Sequence, residues 1–145
     1  MAEMCASALR RGITEIAFTE HFDAHPLDRC HHYYRPAEFF EQVAAARARF
    51  GPQGLAIRAG VELGEPHIYR DEHAPVLAQY PYDVVLGSLH WLGNHNLFDH
   101  EYFRSHDLES VLDAYFSELE QMVRAGGFDV LAHPDVFKRL SLIHI

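Results

Sequence analysis

The chain has 145 residues, enough for one domain with a packed core, and its 48% hydrophobic and 23% charged content is ordinary for a globular protein. The formal charge of −9 at pH 7, with His neutral, argues against a nucleic-acid groove, which needs Lys and Arg to displace phosphate counterions. It weighs less against small phosphate esters, because bound cations reverse the local sign.

In chain order, residues 2–11 read as a short helix stopped by Gly12, and "EIAFT" (15–19) reads as a strand. A polar, aromatic loop, "EHFDAHPLDRCHHYYR", leads to Pro36, a good first-turn residue for the helix "PAEFFEQVAAARARF". Gly51-Pro52 ends that helix, "LAIRAGVEL" (55–63) is the second strand, and 71–79 form a short helix. "DVVLGSL" (83–89) is the third strand, followed by a loop rich in His, Asn and aromatics to about residue 106. "DLESVLDAYFSELEQMVRAG" is a long amphipathic helix, capped by Asp107 and stopped by Gly126-Gly127; "FDVLAH" (128–133) is the fourth strand. Along the long helix Val111, Leu112, Tyr115, Phe116, Leu119, Met122 and Val123 mark a core-facing stripe. Strands separated by helices imply parallel pairing, in a doubly wound sheet or a β/α barrel.

The compositional outlier is histidine, 12 in all. Each strand finishes in a residue type that ligates metal: His21 in "FTEH", Glu62 in "AGVE", His90 in "GSLH" and His133 in "LAHPD". Active sites of parallel α/β folds lie at the C-terminal ends of strands, about 4.8 Å apart. Glu62, His90 and His133, from consecutive strands, are therefore expected to converge on one cation. Glu62, with two carboxylate oxygens, can share a second cation with His21. Imidazole with carboxylate suits Zn, Fe or Mn, and about two to three such ions suit phosphoryl hydrolysis. No Ser or Cys nucleophile motif and no phosphate-binding glycine loop is present.

From about Glu3 to Arg139 these motifs resemble the PHP superfamily, the polymerase and histidinol phosphatase group of metal-dependent phosphoesterases. "YDVVLGSLHW" and "GVELGEP" are most similar to its histidinol-phosphate phosphatase branch. The resemblance implies a distorted (β/α)7, TIM-like barrel, a trinuclear centre with Glu62 bridging, and hydrolysis of a small phosphate monoester, histidinol phosphate foremost. The family's initial His-x-His and final Asp-x-His strands have no counterpart here, and such a barrel runs to roughly 250 residues. The expectation is thus an incomplete barrel lacking its first and last strands, inactive by itself, with 1–139 as the partial domain. The tail "LSLIHI" (140–145) is read as non-native, the peptide a sequencing-transposon end encodes in frame, so His144 is not taken as a ligand.

Other polar residues carry weaker expectations. Arg35, Lys138 and Arg139 are candidate phosphate ligands, with Arg29 a further possibility on the same loop as Arg35. His25, His31 and His32 are read as surface imidazoles, and Trp91 as packed against the helix layer. Asp83 and Asp129 are read as turn residues, and Asp23 and Asp135 as outer acceptors for ligand imidazoles. Cys5 and Cys30 make neither a disulfide framework nor a zinc motif; with no apolar leader and no stretch of roughly 20 apolar residues, a cytoplasmic protein is expected. Competing readings are a noncatalytic metal-binding domain of the same family, a phosphatase or nuclease of other substrate, and an amidohydrolase barrel; the oligomeric state is open.

Overall fold

The computed structural model describes residues 1–99 and 105–136. Its elements are α1 (Ala2–Arg10), β1 (Glu15–Phe22), α2 (Pro36–Phe50), a 3-10 turn (Gly51–Gln53), β2 (Ala56–Gly64), α3 (Arg70–Gln79), β3 (Val84–Ser88), β4 (Trp91–Leu92), β5 (His95–Asn96), α4 (Leu108–Ala125) and β6 (Val130–Leu131). β1, β2, β3 and β6 form a parallel sheet in that order, and β4 pairs antiparallel with β5 in a small hairpin. The hairpin falls in what the sequence suggests is plain loop. Asp107 caps α4 as expected, its side chain accepting from Ser110 N at 3.0 Å.

Side chains alternate across a strand, so register decides which residues share a face. Ile57, Ala59, Val61 and Leu63 of β2 are buried on one face, and Ile57 and Ala59 pack with Phe18, Phe39, Val43, Ala46 and Phe50. A second cluster joins Leu89 and Leu97 to Val111, Tyr115, Leu119 and Met122 of α4, with Leu131 and Phe128 packed against it. The opposite face carries Thr19 and His21 of β1, Gly60, Glu62 and Gly64 of β2, and Val84, Leu86 and Ser88 of β3. Gly60 is needed there because a Cβ would lie 2.7 Å from Thr19 Cγ2 and 2.8 Å from Val84 Cγ1.

Asp83 and Asp129 do more than turn the chain. Asp83 Oδ2 accepts from Ala59 N at 2.7 Å, and Asp129 Oδ2 accepts from Val85 N at 2.8 Å. Each aspartate closes the start of a ladder that its own strand then continues, and this sets the register that carries the strand ends to a common level. Arg47 anchors Asp83 from α2 at 2.6 Å.

Two expectations need correction. The stripe on α4 is narrower than its apolar spacing suggests: Val111, Tyr115, Leu119 and Met122 enter the second cluster with Leu112 packed against it, while Phe116 and Val123 are 49% and 50% exposed. The fourth strand shrinks to Val130–Leu131, since only Leu86 and Gly87 of β3 offer it partners. Among the described residues no helix is long and apolar enough to cross a membrane.

Candidate metal centre

β1, β2 and β3 run in register, so His21 lies opposite Glu62, and Gly64 opposite Ser88. The chain then leaves β3 through Leu89 and His90, and leaves β6 through Ala132 and His133. His133 turns at φ 27°, a sparsely populated backbone region for a non-glycine residue. These exits bring His21, Glu62, His90 and His133 to one rim of the sheet.

Glu62 Oε1 is the focus. His90 Nε2 lies 3.2 Å from it and His133 Nε2 2.9 Å, and Ser88 Oγ donates to the same oxygen. Glu62 Oε2 faces the other way, 4.0 Å from His21 Nε2. Four bonds of about 2.1 Å in a tetrahedral shell place ligand atoms roughly 3.4 Å apart, so the Glu62, His90 and His133 atoms already stand near that spacing. Among the described residues, two groups of ligand atoms lie mutually within 4.8 Å, Glu62–His90–His133 and His21–Asp23–His90, with His90 common to both.

The protonation pattern fits a cation. Asp23 Oδ1 lies 2.6 Å from His90 Nδ1, and a carboxylate only accepts, so Nδ1 carries the proton. In the neutral tautomer His90 Nε2 is then a bare lone pair aimed at a carboxylate oxygen. That contact is repulsive unless a cation or a second proton lies between. In the protein alone the proton takes the place: burial opposes the charge on His90, but the bonds to Asp23 and Glu62 push its pKa up to about 10. Burial opposes ionisation of Glu62 and Asp23, yet the facing imidazoles hold both carboxyls well below the usual range. The bond to Asp23, 3.5 Å away, raises His21 against its partial burial. Gly64 makes room for this pairing, because a Cβ there would lie 2.5 Å from Asp23 Oδ1.

Asp23 accepts from the His90 imidazole at Nδ1, the outer-acceptor position expected for it, and its carboxylate also falls in the second of the two ligand-atom groups. Sequence reasoning missed Glu65 altogether. Fully buried, it accepts from His90 N at 2.5 Å and Trp91 N at 2.8 Å through Oε1; burial pushes its pKa up to about 7 against those two donors. Its position three residues beyond Glu62 in "GVELGEP" was the available signal. His25 is not a surface imidazole. It is buried, stacked on Trp91 with ring centroids 4.0 Å apart, and its Nε2 lies 3.1 Å from Gly93 O. Trp91 in turn donates to Asp28 Oδ2 at 2.8 Å, tying the hairpin to the loop after β1 where packing on the helices was expected. His31 and His32 sit further out, their Nε2 atoms 2.6 Å apart.

A cavity of about 630 Å³ opens beside the cluster. His21, Asp23 and His90 line it together with Tyr33, Tyr34, Arg35 and Phe39. Arg35 Nη1 donates to His32 O and Tyr34 O, at 2.5 and 3.2 Å. Asp135 is exposed; burial, with the nearby Asp135 charge, pushes the Tyr115 pKa up to about 12. Lys138, Arg139 and the tail 140–145, with His144, lie outside the described residues.

A family model described as the PHP domain matches residues 1–142. A protein of Clostridium acetobutylicum named probable histidinol-phosphatase is 25% identical over 130 residues, covering 89% of this chain and 49% of that protein. One of the same name from Deinococcus radiodurans is 26% identical over 150 residues, covering 96% and 55%. The chain therefore spans about half the length of the curated relatives it matches. Among solved structures, the histidinol phosphate phosphatase of Lactococcus lactis, in complex with zinc, L-histidinol and phosphate, superposes with a TM-score of 0.85 at 22% identity, covering 96% of this chain and 53% of that one.

Proposed function

Because the chain belongs to the PHP domain family, we propose that its strand-end cluster is the metal centre of a phosphoesterase that hydrolyses a small phosphate monoester, histidinol phosphate in the first instance. The observation that carries the reading is the convergence of His90 Nε2 and His133 Nε2 on one oxygen of Glu62 while its other oxygen faces His21. The names of the Clostridium and Deinococcus relatives support the substrate, as does the histidinol and phosphate bound to the Lactococcus protein.

In this reading Glu62, His90, His133 and His21 hold about two to three divalent cations of the Zn, Fe or Mn type, zinc being the ion named for the Lactococcus structure. When bound, such cations polarise phosphoryl oxygens and activate water. The chain's own residues supply the rest. Asp23 fixes the His90 tautomer that leaves Nε2 facing inward. Ser88 orients the Glu62 carboxylate. The adjoining cavity has the size of a small-molecule site, and its Tyr33, Tyr34 and Phe39 rings offer apolar walls for the alcohol half of an ester. Arg35, at that wall, keeps guanidinium donors beyond the ones it gives to the loop carbonyls, and is proposed to meet the phosphate.

We extend the proposal to architecture: the parallel sheet is part of a distorted (β/α)7 barrel, with 1–139 as a partial domain and 140–145 foreign to it. Val130, 48% exposed on the site face, and half-buried Val84 and Leu86 beside it are apolar side chains of the kind a closed barrel interior covers. Sequencing the source locus tests the tail: native codons for 141–145 followed by a stop overturn it.

The functional test joins metal counting to turnover. The 145-residue chain, loaded with Zn, Mn or Fe and desalted, is expected to retain ions that a His90→Ala, His133→Ala variant loses. The full-length gene product is expected to release phosphate from histidinol phosphate in preference to other monoesters. Retained metal without turnover of any monoester favours a noncatalytic metal-binding domain; no retained metal overturns the reading.

A further inference from the structure

β2 and β3 pair as far as Gly64 and Ser88, and one further backbone bond follows, from Glu65 N to Ser88 O at 2.9 Å. There the ladder stops, because β2 turns away towards α3. Glu65 sits at the turn with φ 43°, and its carbonyl accepts from Ile68 N and Tyr69 N at 2.9 and 3.1 Å. β3, meanwhile, continues through Leu89 and His90 into the β4–β5 hairpin, where Leu97 N donates to His90 O at 2.8 Å, but among the described residues no main-chain carbonyl receives the N–H groups of His90 and Trp91. Two buried backbone donors without acceptors would leave this segment free to shift towards whatever polar group it could find.

The Glu65 side chain fills the gap. Its Oε1 accepts both N–H groups, at 2.5 and 2.8 Å, while Oε2 has no hydrogen-bond partner among the described residues. A single oxygen thus stands in for the missing strand at the step where the chain presents His90. The His90 ring is fixed separately by Asp23 at Nδ1. Leu97 N holds the His90 carbonyl, Glu65 holds the N–H side of the same backbone and Asp23 holds the ring, so Nε2 points towards Glu62.

We infer that Glu65 is a positioning residue of the metal centre, setting the aim of His90 Nε2 by holding the backbone of His90 and Trp91. The inference rests on the metal reading proposed above, and it concerns a residue that touches no candidate ligand atom. The requirement is for an acceptor, not for charge. Glutamine keeps a carbonyl oxygen in the place of Oε1, whereas methionine has nearly the same volume and accepts nothing useful.

The test is Co2+ titration followed by visible absorption, on the 145-residue chain and its Glu65→Gln, Glu65→Met and Leu55→Ala variants. Leu55 is buried away from the centre, so Leu55→Ala reports what a loss of stability alone does. Glu65→Met is expected to bind Co2+ about 10–100-fold more weakly, the usual effect of losing a group that orients a ligand, and to alter the ligand-field bands. Glu65→Gln is expected to restore affinity and spectrum, and Leu55→Ala to change neither. Should Glu65→Met not fold, Glu65→Asp, which withdraws the acceptor by one methylene, takes its place with the same expected direction. Wild-type affinity and bands in the variant lacking the acceptor overturn the inference and leave the metal reading intact. A wild-type chain that takes up no Co2+ overturns the metal reading, and the inference with it.

Discussion

The two halves of the sheet are built to different depths. β1 and β2 pair from Glu15–Ala56 to Phe22–Leu63, across the whole of β1, with Cys5 and Ala8 of α1 and Val43 and Phe50 of α2 packed against Phe18 and Ile57. β3 and β6 pair only through Leu86–Val130 and Gly87–Leu131, and α4 leaves Phe116 and Val123 half exposed. The candidate metal centre straddles these halves. His21 and Glu62 stand on the extended pairing, and His133 on the short one. A cation held by Glu62 and His133 would tie the weakly paired strand to the strongly paired one, and would couple binding to local order.

The largest expected effect comes from removing the residue both halves share. Glu62→Gln should cost more metal affinity than the about 10–100-fold typical of losing an outer partner, and calorimetric titration with Zn or Mn measures it. Next, Leu55→Ala, in the deep first cluster, should lower unfolding free energy by about 2–5 kcal/mol in urea titrations. Gly64→Ala acts at the seam: its Cβ would displace Asp23 from His90, so metal affinity should fall by about 10–100-fold while far-ultraviolet circular dichroism stays unchanged. At the small end, Val123→Ala on the second half should stay within about 0.5 kcal/mol, which would sharpen the contrast between the clusters.

Acidity probes the same seam. The folded-state pKa of His90 is raised from 6.5 to about 10, so its contribution to the metal-free chain is complete below about pH 6.5 and lost as pH rises through about 10. Glu62 and Asp23 are depressed, so their contribution is present above the ordinary carboxylate range and lost as pH falls below it. Thermal melts of metal-free protein should therefore weaken on both sides of a near-neutral optimum. Bound metal replaces the His90 proton, so the alkaline loss should shrink in the loaded chain.

Much of this was legible in the sequence because it depends on local pattern. Helix and strand periods place the main elements, and the endings "FTEH", "GVE", "GSLH" and "LAH" put His21, Glu62, His90 and His133 at the same end of neighbouring strands. What escaped depends on partners distant along the chain. His25 is buried by Trp91 and Gly93, 66 and 68 residues on, and composition gives no hint of that stack. Asp23 is expected to accept from a ligand imidazole, but that the imidazole is His90, admitted by the bare Gly64 between them, shows only in the fold. Glu65 acts through two backbone N–H groups left over where β2 turns away, a deficit visible only once the register is known. Phe116 and Val123 lie on a helical stripe wider than the part that enters the second cluster.

The most direct test of the central claim is anomalous X-ray diffraction from crystals of the metal-loaded chain. The account predicts a peak within bonding distance of a Glu62 carboxylate oxygen, His90 Nε2 and His133 Nε2 together. A peak bound elsewhere, with those three side chains turned apart, would contradict it.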